Sequence, residues 1–395
     1  MLLVSELKMT HKERLLTALR RGKPDRLPVT THHLMQSFLN KYFGGKSSQE
    51  FFEHFDLDAI TWPVCHKPNA AVGDYFDPQQ GEPGFLEARR VWSDRWKIFA
   101  EDVSTADGPA ARYRFETPKG MLTMTTQSNE QTTWVVEPPV KEKRDIELIG
   151  EFATHPLCDV DAVNRVAEEY GERGLVRSHV PCFEVFGQPG TWQDACCLYG
   201  TEQFILATYD DPEWVREFLG ILFRRKQSYI RSMAGAKLDL VELGGGSAST
   251  TVISPKIFDK FVAPYDSELI ALAHEAGQRI VYHTCGGMMP ILERIAAMQP
   301  DAMETLTPAG MGGDMELAKA KKRIGEKVCM IGGFDQFHYL IGCTPEETRA
   351  AVRACFEAAG DGGGYILCPS DHFFDADFKL IEAFADEAHR CVYAG

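Results

Sequence analysis

The feature that most limits what this chain can become is a repeat. Short apolar runs recur along it, and stretches with helical spacing separate most of them. The runs are Arg26-Leu-Pro-Val-Thr30, Asp58-Ala-Ile-Thr-Trp-Pro63, Gly174-Leu-Val-Arg-Ser-His179, Leu238-Asp-Leu-Val-Glu-Leu243, Arg279-Ile-Val-Tyr-His283, Asp301-Ala-Met-Glu-Thr-Leu306, Lys327-Val-Cys-Met-Ile331 and Gly364-Tyr-Ile-Leu-Cys368. Near-continuous apolar segments of this length are what strands buried on both faces require. Helical spacing is read at 10–22, 33–42, 48–55, 158–172, 200–209, 211–234, 254–276, 287–298, 314–324, 344–359 and 376–392. Thr10 with Glu13 forms a capping box at the first of these, and Thr344 with Pro345 opens the penultimate one. Eight strands in such a series predict a (β/α)8 TIM barrel, an α/β fold in which residues 1–395 form a single barrel domain. A doubly wound open sheet is the competing arrangement, but no Gly-x-Gly-x-x-Gly follows the first strand to support it.

Residues 66–140 break the repeat. They begin Gly- and Pro-rich and continue with alternating aromatic and polar residues ("RVWSDRWKIF", "RYRFETPKGMLTMTT", "TTWVVEPP"). Period-two alternation around a Pro-Lys-Gly turn predicts an inserted antiparallel β-hairpin region within the barrel.

Composition narrows the function. Acidic residues number 57 against 42 basic, a formal charge of −15, which argues against nucleic acid and anionic membranes as partners. No apolar run reaches the length of a bilayer span, and the opening residues are too short an apolar run for an export signal. Eleven cysteines, an odd number at irregular spacing, read as thiols of a cytoplasmic protein rather than a disulfide frame.

On a barrel, chemistry belongs at the C-terminal ends of the strands. Metal-type donors collect there in the sequence: His179, Glu242, His283, Cys285, Glu304, Cys368, Asp371 and His372. Residues i and i+2 of an extended segment point the same way, so His283 and Cys285 can face one ion, and imidazole with thiolate favours Zn2+. The plainer reading is that strand-end cysteines pack, and spacing alone leaves both open. Cys329, Cys343, Cys355 and the pair Cys196-Cys197 read as core. Trp62 and Glu304 are candidates to face a substrate. Gly244-Gly-Gly246 lacks the Lys-Ser/Thr of a phosphate loop and reads as a turn.

Several stretches together, "ERLLTALRRGKPDRLPV", "SPKIFDKFVAPY", "HTCGG", "KRIGEKVCMIGGFD" and "TPEETRAAVRACFEAAGDGGGYILCPSDH", resemble the uroporphyrinogen decarboxylase superfamily over essentially the full length. That resemblance implies a (β/α)8 barrel. The decarboxylases proper carry an arginine-rich segment after the first strand that grips propionates. The matching stretch here, Val29-Thr-Thr-His-His-Leu-Met-Gln36, holds no arginine. The resemblance therefore points to the zinc-dependent, corrinoid-linked methyltransferases, where a His-x-Cys motif after the fifth strand supplies two zinc ligands, matched here by His283 and Cys285. Their further cysteine sits in a Pro-Gly-Cys-Gly context. This chain has Leu367-Cys-Pro-Ser-Asp-His372 instead, so Cys368 and Asp371 stand as alternatives for the third ligand, and Glu242 or Glu304 for an exchangeable position.

The implied activity is methyl transfer between a small substrate and the cobalt of a corrinoid (cobalamin) on a corrinoid-binding partner protein. Harder ligands leave zinc more Lewis acidic, which favours a methoxylated compound and O-demethylation. A methylcobamide:thiol methyltransferase and a carboxy-lyase are the alternatives. His179 and His372 are candidates to pass a proton to the departing oxygen.

Overall fold

The strand-forming runs do pair in parallel, and what holds their starting ends is charge. The computed structural model describes residues 8–83, 88–183, 185–372 and 375–393. Most of the N-terminal segment read above for export, together with Ala394 and Gly395, lies outside them. Seven parallel strands are present among the described residues: β1 (Ala59–Thr61), β2 (Gly174–His179), β3 (Leu240–Gly244), β4 (Ile280–His283), β5 (Ala302–Thr305), β6 (Cys329–Gly332) and β7 (Tyr365–Ile366). Helices intervene between successive strands along the chain, which fits a TIM-barrel-like α/β fold. Among the described residues no helix is long and apolar enough to cross a membrane.

The chain divides into two compact units. The first comprises 1–61, 166–177 and 285–395, and the second 62–165 and 178–284. In the first unit β1 pairs with β2, Ala59 opposite Gly174 and Thr61 opposite Val176. β5 pairs with β6, Ala302 opposite Cys329, and β6 with β7, Met330 opposite Tyr365.

The segment expected as the first strand, 26–30, is reduced to a single parallel bridge between Val29 and Leu367. Thr30 donates to the Leu367 carbonyl at 3.0 Å, and Leu367 donates to the Pro28 carbonyl at 2.9 Å. On its other side Asp58 N–H reaches the Val29 carbonyl at 2.7 Å. The segment thus lies between β7 and the approach to β1. It is short because Pro28 has no N–H to give a ladder, and Leu27 sends its N–H to Cys391 instead, at 2.8 Å.

Asp58 fixes the start of that arrangement. It is fully buried and accepts from Arg14 Nη1 at 2.6 Å, Arg26 Nη1 at 3.2 Å and the Val29 N–H at 2.9 Å; His11 Nδ1 lies 2.9 Å from it. Burial alone would raise its carboxyl. The bond with His11 and the charges of Arg26 and Arg14 carry it below its ordinary value instead. One carboxylate so joins the helix His11–Leu19, the bridging segment and the entry to β1.

In the second unit β3 and β4 pair in register, Glu242 opposite Val281 and Gly244 opposite His283. The alternating stretch forms a four-stranded antiparallel sheet, Lys97–Asp102, Ala110–Thr117, Gly120–Ser128 and Thr133–Glu137, with the tight turn at Pro118-Lys119. A register shift at Thr125/Thr126 bends its last pairing.

Replacing Asp58 by Ala takes the carboxylate partner from buried Arg26 and leaves buried Arg14 with Asp25 alone, and should cost about 3–5 kcal/mol in urea unfolding. Its folded pKa is lowered, so its contribution is present above the unfolded value and fades as pH falls through the folded one. Wild-type protein should therefore lose stability below about pH 4 more steeply than an Asp58→Asn variant. Parallel pH profiles would remove Asp58 from this role.

Candidate functional site

Several of the parallel strands deliver a polar side chain at or near their C-terminal end, where an apolar run stops. In the second unit Glu242, 6% exposed, lies on β3, and His283 closes β4. Glu242 Oε1 is 3.8 Å from His283 Nδ1. Their backbones are brought close by Gly244, which has φ of +110° and would place a Cβ 2.3 Å from the His283 carbonyl. Only a residue without a side chain fits there.

His179, at the end of β2, has Nδ1 3.0 Å from the Val180 carbonyl and 4.0 Å from Cys182 Sγ. A carbonyl only accepts, so Nδ1 carries the proton and Nε2 the lone pair in the neutral ring. The Cys182 thiol is pushed up to about 12 by burial. Half-buried Trp62 begins the loop after β1, held where Ser178 Oγ donates to the Pro63 carbonyl at 3.0 Å.

In the first unit a second imidazole–carboxylate pair forms. Glu304 on β5 is 2% exposed, and its Oε1 is 3.3 Å from His32 Nε2. Arg177, on β2 and 1% exposed, donates to the same Oε1. His33 and His372 pack close by: the His32 ring meets that of His33 edge-on, centroids 4.1 Å apart, and that of His372 at a tilt, centroids 5.2 Å apart. Burial first, then the neighbouring His32 and His372, holds His33 well below the usual imidazole range, so it is neutral.

Cys285 starts the first unit's 285–289 loop. Gly286 N–H donates to Thr307 Oγ1 at 3.2 Å, and the N–H groups of Met288 and Met289 donate to Asp314 Oδ1 at 2.7 and 3.1 Å. Leu306, between Glu304 and Thr307, takes φ of +54°, a strained setting for a branched side chain.

Cys368 is buried, and burial, reinforced by Glu304, raises its thiol far above the ordinary value. Asp371 lies farther out, 3.8 Å from His372 Nε2, with 37% of its side chain exposed.

The two pairs have the spacing of metal ligands. Zinc bonds of about 2.0–2.1 Å at tetrahedral angles separate neighbouring donors by roughly 3.3 Å. The paired donor atoms, His32 with Glu304 and Glu242 with His283, each lie within 4.8 Å of one another. Cys285, Cys368 and Asp371 contribute no atom to either pair. Sequence reading found Glu242, His283 and Glu304 but passed over His32, His33 and Arg177. The histidines were noticed only as replacing arginines, although they too follow an apolar run. Arg177 was legible as a charge in the middle of Gly174-Leu-Val-Arg-Ser-His179.

Residues 118–391 match the model of the family described as uroporphyrinogen decarboxylase (URO-D). A uroporphyrinogen decarboxylase of Thioalkalivibrio sulfidiphilus is 24% identical over 399 residues, spanning 96% of this chain and 97% of that one. One from Neisseria meningitidis serogroup B is 27% identical over 242 residues, 58% of this chain and 64% of its own. A solved methyltransferase from Methanosarcina mazei superposes with a TM-score of 0.61 at 14% identity, covering 97% of this chain and 99% of that one, a likeness of fold.

Gly244→Ala should destabilise the protein by about 2 kcal/mol or more, read from the denaturant midpoint, because strain and a backbone clash coincide. A change below about 0.5 kcal/mol would mean that the approach to His283 is not close.

Proposed function

We propose, from the premise that this chain belongs to the uroporphyrinogen decarboxylase family, that it is a metal-dependent methyltransferase. It moves a methyl group between a small substrate, favoured as a methoxylated compound, and the cobalt of a corrinoid on a partner protein. The observation that carries the reading is where the charges are spent. Among the described residues of the first unit, the buried arginines Arg14, Arg26 and Arg177 are each engaged by a protein carboxylate: Asp25 and Asp58, Asp58, and Glu304. A substrate rich in carboxylates needs cationic partners that are not already committed. The strand ends instead present imidazoles beside carboxylates, a donor chemistry that suits a divalent cation, zinc first.

His283 and Cys285, Glu242, and His32 with Glu304 are the residues from which such an ion's ligands would be drawn. Cys368 and Asp371 stay as alternatives for a further ligand. A bound zinc supplies Lewis acidity, withdrawing charge from a substrate oxygen. Mixed nitrogen and oxygen ligation supports an oxygen-linked methyl over a thiol acceptor, because hard donors leave the cation electron-poor.

The chain's own groups do the remainder. His179 holds its Nδ1 proton on the Val180 carbonyl, which orients the ring and leaves Nε2 as the atom for proton exchange with substrate. His372, beside Asp371, is the second candidate for that task. Trp62 is the proposed apolar wall for the substrate.

Protein purified without chelator should carry about one zinc per chain, and His283→Ala should lose most of it. Incubated anaerobically with Co(I) cobalamin and a panel of methoxy, methylamine and thiol compounds, the wild type should form methylcobalamin with a methoxy donor, seen in its visible spectrum. Absence of metal, together with release of carbon dioxide from carboxylated tetrapyrroles, would replace this reading with the decarboxylase one.

A further inference from the structure

Arg177 is spent on two partners at once. Its Nη2 donates to Glu304 Oε1 and lies 3.5 Å from His32 Nε2. Those two atoms are themselves 3.3 Å apart. A guanidinium offers N–H donors, has no acceptor and does not lose its proton in a protein. The atoms facing Nη2 can meet it only as acceptors, Glu304 Oε1 always and His32 Nε2 in the tautomer with its proton on Nδ1. They are an imidazole nitrogen and a carboxylate oxygen at the spacing a zinc ion would use.

We infer that Arg177 is a resident counter-ion of the metal site, holding the lone pairs of Glu304 and His32 aligned while its charge weakens the grip on the cation. The inference rests on the proposed metal-dependent function. Arg177 is a positioning residue: it acts through Glu304 and His32. Two consequences follow from its burial. Glu304 is out of water, and the guanidinium that replaces its solvation is equally buried. Part of the carboxylate's charge is already spent, so a cation bound beside it keeps more of its own, the condition for a strong Lewis acid. A purely structural ion pair would need Glu304 alone, whereas the approach to His32 Nε2 is what ties Arg177 to a metal-ligand pair.

The test is the zinc dissociation constant by chelator competition, with the rise in melting temperature on adding zinc, for wild type, Arg177→Met, Arg177→Gln and Arg177→Lys. The neutral variants should bind zinc roughly tenfold tighter or more, and should gain more melting temperature from it than wild type does. Arg177→Lys, which keeps the charge, should stay within about threefold of wild type. Should Arg177→Met not fold, Arg177→Gln, which keeps an N–H donor, carries the comparison. Wild type that binds zinc, with neutral variants no tighter, overturns this inference alone. Wild type that takes up no zinc overturns the metal-dependent reading as well.

Discussion

Charge held out of water on parallel strands is the constraint on which the rest of this structure depends. A carboxylate moved from water into a protein interior loses several kcal/mol of solvation unless a cation and hydrogen bonds replace it. On and beside the first unit's parallel strands, Asp58 meets that demand with Arg14 and Arg26, and Glu304 with Arg177. The first sits where strands begin and joins elements of the fold. The second sits where strands end, beside an imidazole. Similar physics thus joins elements of the fold at one end of the strands and shapes the candidate site at the other. This division is the one expected of a barrel, whose N-terminal face carries stability and whose C-terminal face carries function.

Much of the fold was legible because parallel strands buried on both faces leave a simple trace in sequence, a run of apolar residues bounded by helix signals. Where reading failed, one residue type explains it. Arg26–Thr30 has the apolar character of a strand, but Pro28 cannot donate to a ladder, and the segment survives as a bridge. The antiparallel sheet over 97–137 falls in the stretch whose aromatic and polar residues alternate about Pro118-Lys119.

The candidate site was legible only in part, since its donors come from distant positions and nothing in one strand announces its neighbour. Glu242, His283 and Glu304 stood out as polar residues at strand ends. His32 and His33 stood at a strand end as well, yet attention went to the arginines missing there. Ligand softness draws attention to Cys368, which the folded chain buries, raising its thiol. Arg177 shows in the sequence only as a charge within an apolar run, because its pairing exists only once β2 and β5 present Arg177 and Glu304 to each other.

What distinguishes a metal centre from a well-compensated acid–base cluster is therefore the identity of the atoms around the ion. X-ray absorption at the zinc edge on the loaded wild-type protein reads them directly. The account predicts a shell with nitrogen and oxygen at about 2.0–2.1 Å making up half of the ligands or more, and any sulfur near 2.3 Å in the minority or equal to them. A sulfur-dominated shell, or protein that holds no zinc to measure, would contradict it.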